Sequence, residues 1–173
     1  MQRSLVMTLL GEDRPGLVDS VATIVSEHGG NWLESRMSRL GGQFAGIVRV
    51  EVAAETEPAL VRALEDLAER GLSVIVHSDR PPPGQKQPRL SLLEIVGHDR
   101  PGIVRQISHA LADFGVNVEE LHTECSSAAM SGEPLFKARA CLSIPESCNV
   151  AELRRALEKI AADLIVDVSL ESL

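Results

Sequence analysis

Residues 3–10 are apolar in the manner of a strand, and at Pro15 the period becomes helical, with Leu17, Val18, Val21, Ile24 and Val25 on one face. Pro15 suits a first helical turn and Gly29 a C-terminal cap. Two extended segments follow around Gly41-Gly42, the second placing Phe44, Gly46, Val48, Val50 and Val52 on one face. Thr56 is positioned to cap a second helix, whose Leu60, Val61, Leu64, Leu67 and Ala68 form an apolar stripe that Gly71 ends. Residues 72–77 read as a further strand.

The same order of periods then returns. Residues 90–96 predict a strand, and a helix from Pro101 turns Ile103, Val104, Ile107, Ala110, Leu111 and Phe114 inward. Strands are expected over 118–125 and 135–144. Asn149, with Glu152 three residues on, is a capping arrangement for a last helix with Val150, Leu153, Leu157, Ile160 and Leu164 as its stripe. The repetition extends to the letters: Gly11-Glu12-Asp13-Arg14-Pro15-Gly16-Leu17-Val18 recurs as Gly97-His98-Asp99-Arg100-Pro101-Gly102-Ile103-Val104. Asn31 matches Asn117 and Glu34 matches Glu120 at the same offset of 86, while Phe44 matches Phe136 at 92, so the loop over 126–134 carries six extra residues. Two copies of so long a unit are two homologous domains, not a solenoid. Each reads β-α-β-β-α-β, an α+β, ferredoxin-like order in which an antiparallel sheet carries helices on one face. The expected boundaries are 1–79 for the first domain, 80–88 for a Pro-rich, polyproline-like linker, and 89–173 for the second.

Composition narrows the functions available. Residues 1–80 hold 8 basic and 12 acidic side chains and residues 81–173 hold 9 and 13, so each half contributes −4 to the net charge of −8. Direct nucleic-acid binding needs clustered Lys and Arg, and no such stripe is present, so none is expected. Base stacking by an RNA-recognition sheet is disfavoured as well, since the chain has three Phe, one Trp and no Tyr. No apolar run approaches the length of a membrane span and no signal-peptide core follows Met1, so the protein is expected in the cytoplasm and away from membranes. Cys125, Cys141 and Cys148 are an odd set without a CxxC pair, so reduced thiols and no metal site are expected.

The doubled Asp-Arg-Pro-Gly turn, with Gly29-Gly30-Asn31 and Gly115-Val116-Asn117 at the start of each second strand, resembles the ligand-site pattern of the ACT family of small regulatory domains that bind amino acids. The resemblance covers nearly the whole chain. It implies an amino-acid-responsive regulator with Gly11, Asp13, Arg14, Pro15, Gly16 and Asn31 as ligand-binding residues in the first domain. Gly97, Asp99, Arg100, Pro101, Gly102 and Asn117 are their counterparts in the second. A helix N-terminus suits a carboxylate, Gly16 and Gly102 allow close approach, the asparagine amides both donate and accept, and Asp13 or Asp99 can accept from an ammonium group. A purely structural role also fits: the aspartates as helix caps, the prolines as helix starters, the glycines as a tight turn, and Arg14 and Arg100 solvated or paired with acids.

Glycine or serine is the expected ligand, no cofactor is needed, and the expected macromolecular partner is a protein, either a transcriptional activator or a metabolic enzyme. A homo-oligomer is compatible with the same pattern. Catalysis is not expected, because the sequence has no nucleophile elbow, phosphate loop or dinucleotide fingerprint, and His122 and Cys125, three apart on a strand, face opposite sides.

Overall fold

The structure, a computed structural model, describes residues 1–79, 89–127 and 133–173. The expected linker over 80–88 and the centre of the long loop lie outside the described residues. The chain divides into two compact units, Met1–Pro83 and Gly84–Leu173.

The first unit runs β1 (Gln2–Glu12), α1 (Leu17–Glu27), β2 (Asn31–Leu40), β3 (Gln43–Ala53), α2 (Glu57–Glu65), a 3-10 turn (Asp66–Arg70) and β4 (Leu72–Ser78). The second runs β5 (Arg89–His98), α3 (Ile103–Asp113), β6 (Asn117–Ser127), β7 (Pro134–Ile144), α4 (Val150–Leu164) and β8 (Val166–Ser172). The sheets are antiparallel between neighbours, ordered β2-β3-β1-β4 and β6-β7-β5-β8, as in the ferredoxin-like fold.

Alternation along the central strands builds both cores. Leu5, Met7 and Leu9 of β1 and Val48, Val50 and Val52 of β3 are buried against Leu17, Val21 and Val25 of α1 and Leu60 and Leu64 of α2. In the second unit Leu93, Ile95, Leu142 and Ile144 meet Ile103, Ile107, Leu111, Leu153 and Leu157. Asn149 caps α4 as expected, its Oδ1 accepting from the amides of Ala151 and Glu152.

Several sequence expectations are corrected. Neither α1 nor α3 starts at its proline: the N-caps are Gly16 and Gly102, both left-handed, and Pro15 and Pro101 precede them in the turn. Val18 and Val104 lie about half exposed outside the buried stripe, because the helices roll Leu17 and Ile103 onto the sheet in their place. Around Val104, an apolar recess opens between α3 and β6, floored by the small side chains of Ala138 and Ala140. Thr56 does stand at the N-cap of α2, but its hydroxyl donates back to the Ala53 carbonyl and receives no helix amide. Ala68 is exposed because the helix tightens into a 3-10 turn before Gly71, which takes the left-handed conformation at φ 79°.

Candidate functional site

The two Asp-Arg-Pro-Gly turns sit at the same place in each unit, between the end of the central strand and the start of the helix it feeds. Gly16 and Gly102 have φ of 91° and 97°, a region that glycine enters without strain. Gly11 and Gly97 are needed for a different reason. A Cβ on Gly11 would lie 2.5 Å from the Gly71 carbonyl oxygen, and one on Gly97 would lie 2.7 Å from the Val166 Cα. The strand β4 or β8 crosses so close that only glycine fits.

The aspartates do not cap the helices, since neither α1 nor α3 receives a side-chain cap. They tie the turn to the hairpin beside it. The Asp13 amide donates to the Gly42 carbonyl and the Asp99 amide to the Pro134 carbonyl. The side chains then diverge: Asp13 Oδ2 stands 2.6 Å from Arg39 Nε, whereas the Asp99 carboxylate has the Cys125 thiol as its neighbour. Arg14 donates to the Arg70 carbonyl, and Arg100 has no hydrogen bond or ion pair among the described residues. Arg39 and Cys125 occupy matched positions, and sequence reasoning passed over both as site residues. Their difference at a fixed offset of 86 was the signal available.

Asn31 and Asn117 do not join the turns of their own units. Asn31 pairs with Glu51, which pairs in turn with Ser4, eight residues before the end of β1. Asn117 is level with Leu90 through Ser143, eight residues before the end of β5. At roughly 3.4 Å per residue, each asparagine lies about 27 Å along the sheet from its own turn. One amino acid cannot touch both groups of one domain. Asn31 is exposed at the head of β2, and the Asn117 amide donates to Glu119 Oε1 at 3.0 Å.

In the second unit, His98, Asp99, Arg100, Glu133, Pro134 and Ile165 line a solvent-open recess of about 450 Å³. His98 Nδ1 faces Glu133 Oε2 at 3.4 Å. Ile165 has φ of 57°, an unusual conformation for a β-branched residue, and stands where the first unit has Gly71.

Desolvation pushes the Cys125 thiol above its ordinary value, and the neighbouring Asp99 carboxylate pushes it further. Cys125, though exposed, is therefore expected to react slowly with iodoacetamide near pH 8, and Asp99→Asn is expected to speed the reaction. Mass-spectrometric time courses on the two proteins check this, and equal rates would remove Asp99 from the thiol's surroundings. Burial also raises the Cys148 thiol, with Glu152 adding to it. His122 and Cys125 face opposite sides of β6, opposite Arg139 and Phe136 respectively. Among the described residues no helix is long and apolar enough to cross a membrane, and no three His, Cys, Asp or Glu side chains are grouped to hold a metal ion.

Known proteins are similar to this chain. The chain is 24% identical over 165 residues to the glycine cleavage system transcriptional repressor of Escherichia coli (strain K12), covering 94% of this chain and 86% of that protein. It is 26% identical over 176 residues to the phosphoserine phosphatase SerB2 of Mycobacterium tuberculosis, covering 97% of this chain and 40% of that enzyme. The crystal structure of an unknown protein from Galdieria sulphuraria superposes with a TM-score of 0.90 at 30% identity, over 100% of this chain and 99% of that one. The ACT domain family matches residues 3–77 and again residues 91–134, so the chain belongs to that family and carries two ACT domains.

Proposed function

We propose that this protein is an amino-acid-responsive regulator of transcription that acts through a protein partner and not by binding DNA itself. Its similarity to the glycine cleavage system transcriptional repressor, which extends over most of both chains, is the observation that carries this reading. The amino-acid site is proposed at an Asp-Arg-Pro-Gly turn, with glycine or serine as ligand. Helix amides without acceptors and charged turn residues suit a small zwitterion. The net charge of −8 disfavours a phosphate backbone. A protein partner is supported by the open face of the first sheet, where Leu10, Ile47 and Ile75 stay about half exposed around Thr8.

A second reading, an ACT regulatory module of an amino-acid metabolic enzyme, is favoured by the similarity to the phosphoserine phosphatase, a longer protein. In that case the partner is an enzyme and the amino acid tunes its turnover.

Calorimetric titration and thermal melts against the twenty standard amino acids test the ligand. A small amino acid is expected to raise the melting temperature with concentration, by the equivalent of about 2.7 kcal/mol at a hundred times its Kd. In parallel, duplex DNA is expected to show no salt-dependent retardation. Silence from all twenty amino acids, or tight promoter binding at physiological salt without a partner, overturns the proposal.

A further inference from the structure

The two turns share a sequence but not their neighbours. In the first domain both charged side chains of the turn are engaged from within, Asp13 by Arg39 at 2.6 Å and Arg14 by the Arg70 carbonyl. In the second domain the position of Arg39 is taken by Cys125, a neutral thiol that gives Asp99 no counter-charge, and Asp99 has no ion pair among the described residues. Arg100 has no hydrogen bond or ion pair among the described residues, although Arg14 has one. Asp99 and Arg100 both line the open recess, which Ile165 walls on its apolar side. Adjacent opposite charges, neither in an ion pair among the described residues, match the two ends of an α-amino acid: a guanidinium fork holds a carboxylate through two parallel hydrogen bonds, and a carboxylate accepts from an ammonium group.

We infer that the two domains are unequal, with the second turn receiving the amino acid, Arg100 on its carboxylate and Asp99 on its ammonium group, and the first turn held shut by the Asp13–Arg39 pair. The inference rests on the reading of the turns as amino-acid sites and names which of them works.

The matched positions supply the experiment. The full chain is titrated by calorimetry with each of the twenty standard amino acids, as wild type and as Arg100→Ala, Arg14→Ala, Cys125→Arg and Arg39→Cys. All four positions are exposed, and a thermal melt of each variant confirms folding. The wild type is expected to bind one amino acid per chain, and Arg100→Ala to weaken binding about tenfold or more while Arg14→Ala leaves it unchanged. Cys125→Arg, which brings a guanidinium to Asp99, is expected to close the site. Arg39→Cys is expected to open a second one, raising the stoichiometry to two. Two sites in the wild type, or a loss with Arg14→Ala equal to that with Arg100→Ala, overturns the inequality while leaving the turns as amino-acid sites. Absence of binding to all twenty overturns the underlying reading as well. Should Cys125→Arg fail to fold, Arg100→Ala and Arg39→Cys still decide.

Discussion

Leu142→Ala is expected to destabilise the second domain by about 2–5 kcal/mol, the range for removing a fully buried leucine. Leu142 has no exposed surface and sits on β7, paired with Ser91 of β5 on one side and Val118 of β6 on the other. Strands on both sides and the helices above hold the walls of the vacated space, so the site cannot collapse to fill it. A domain of this size buries a modest core, and such a loss is a large part of a total stability of roughly 5–15 kcal/mol. Leu121→Ala, on the edge strand β6 and half exposed, is expected to cost far less. Urea unfolding of the three proteins measures the difference as a shift in midpoint at constant slope. A loss for Leu142→Ala no larger than that for Leu121→Ala would mean the core is not built around β7.

The strands and helices were legible because their periods are clean. Val48, Val50 and Val52 alternate on β3, and Leu60 and Leu64 recur at helical spacing on α2, so burial follows from pattern. The helix starts were not, because proline suits both a first helical turn and the residue before a left-handed glycine cap, and the sequence is the same in either case. The candidate site was legible only in part. The turns were found by their repetition, but Asn31 and Asn117 were grouped with them on sequence evidence alone. The crossover separates them: the helix carries the chain back along the full length of the central strand, so whatever starts the next strand begins at the opposite end of the sheet. The β-α-β order contains that information once the helix is given a direction. The roles of Arg39 and Cys125 depend on Gly42 between β2 and β3, and Pro134 at the start of β7, meeting the turn, a contact between distant segments that no local pattern announces.

Gly97→Ala is expected to cost about 1–3 kcal/mol, the range for forcing extra volume into a filled space. The added Cβ would meet Val166 Cγ1 at 2.5 Å, Cα at 2.7 Å and Cβ at 2.8 Å. A side chain can turn away, but the Val166 backbone is fixed by its pairing with Gly97 itself, so the strands must part. Val166→Ala in the same chain is therefore expected to recover only a fraction of the loss, since it removes Cγ1 and leaves the Cα. Gly102→Ala tests the other kind of glycine in the same turn. Its nearest neighbour is Gln106 Nε2 at 3.8 Å, so there is room for the methyl group, and the cost comes from a φ of 97° that alanine resists, about 1–2 kcal/mol. The two losses separate by rescue, because Val166→Ala relieves Gly97→Ala in part and leaves Gly102→Ala unimproved. Thermal melts of the three single and two double variants measure this. If ligand binding below the melting temperature persists in Gly97→Ala, this glycine serves the approach of β8 and not the ligand. A Gly97→Ala protein as stable as the wild type would mean that β5 and β8 stand further apart at this point than the contact requires.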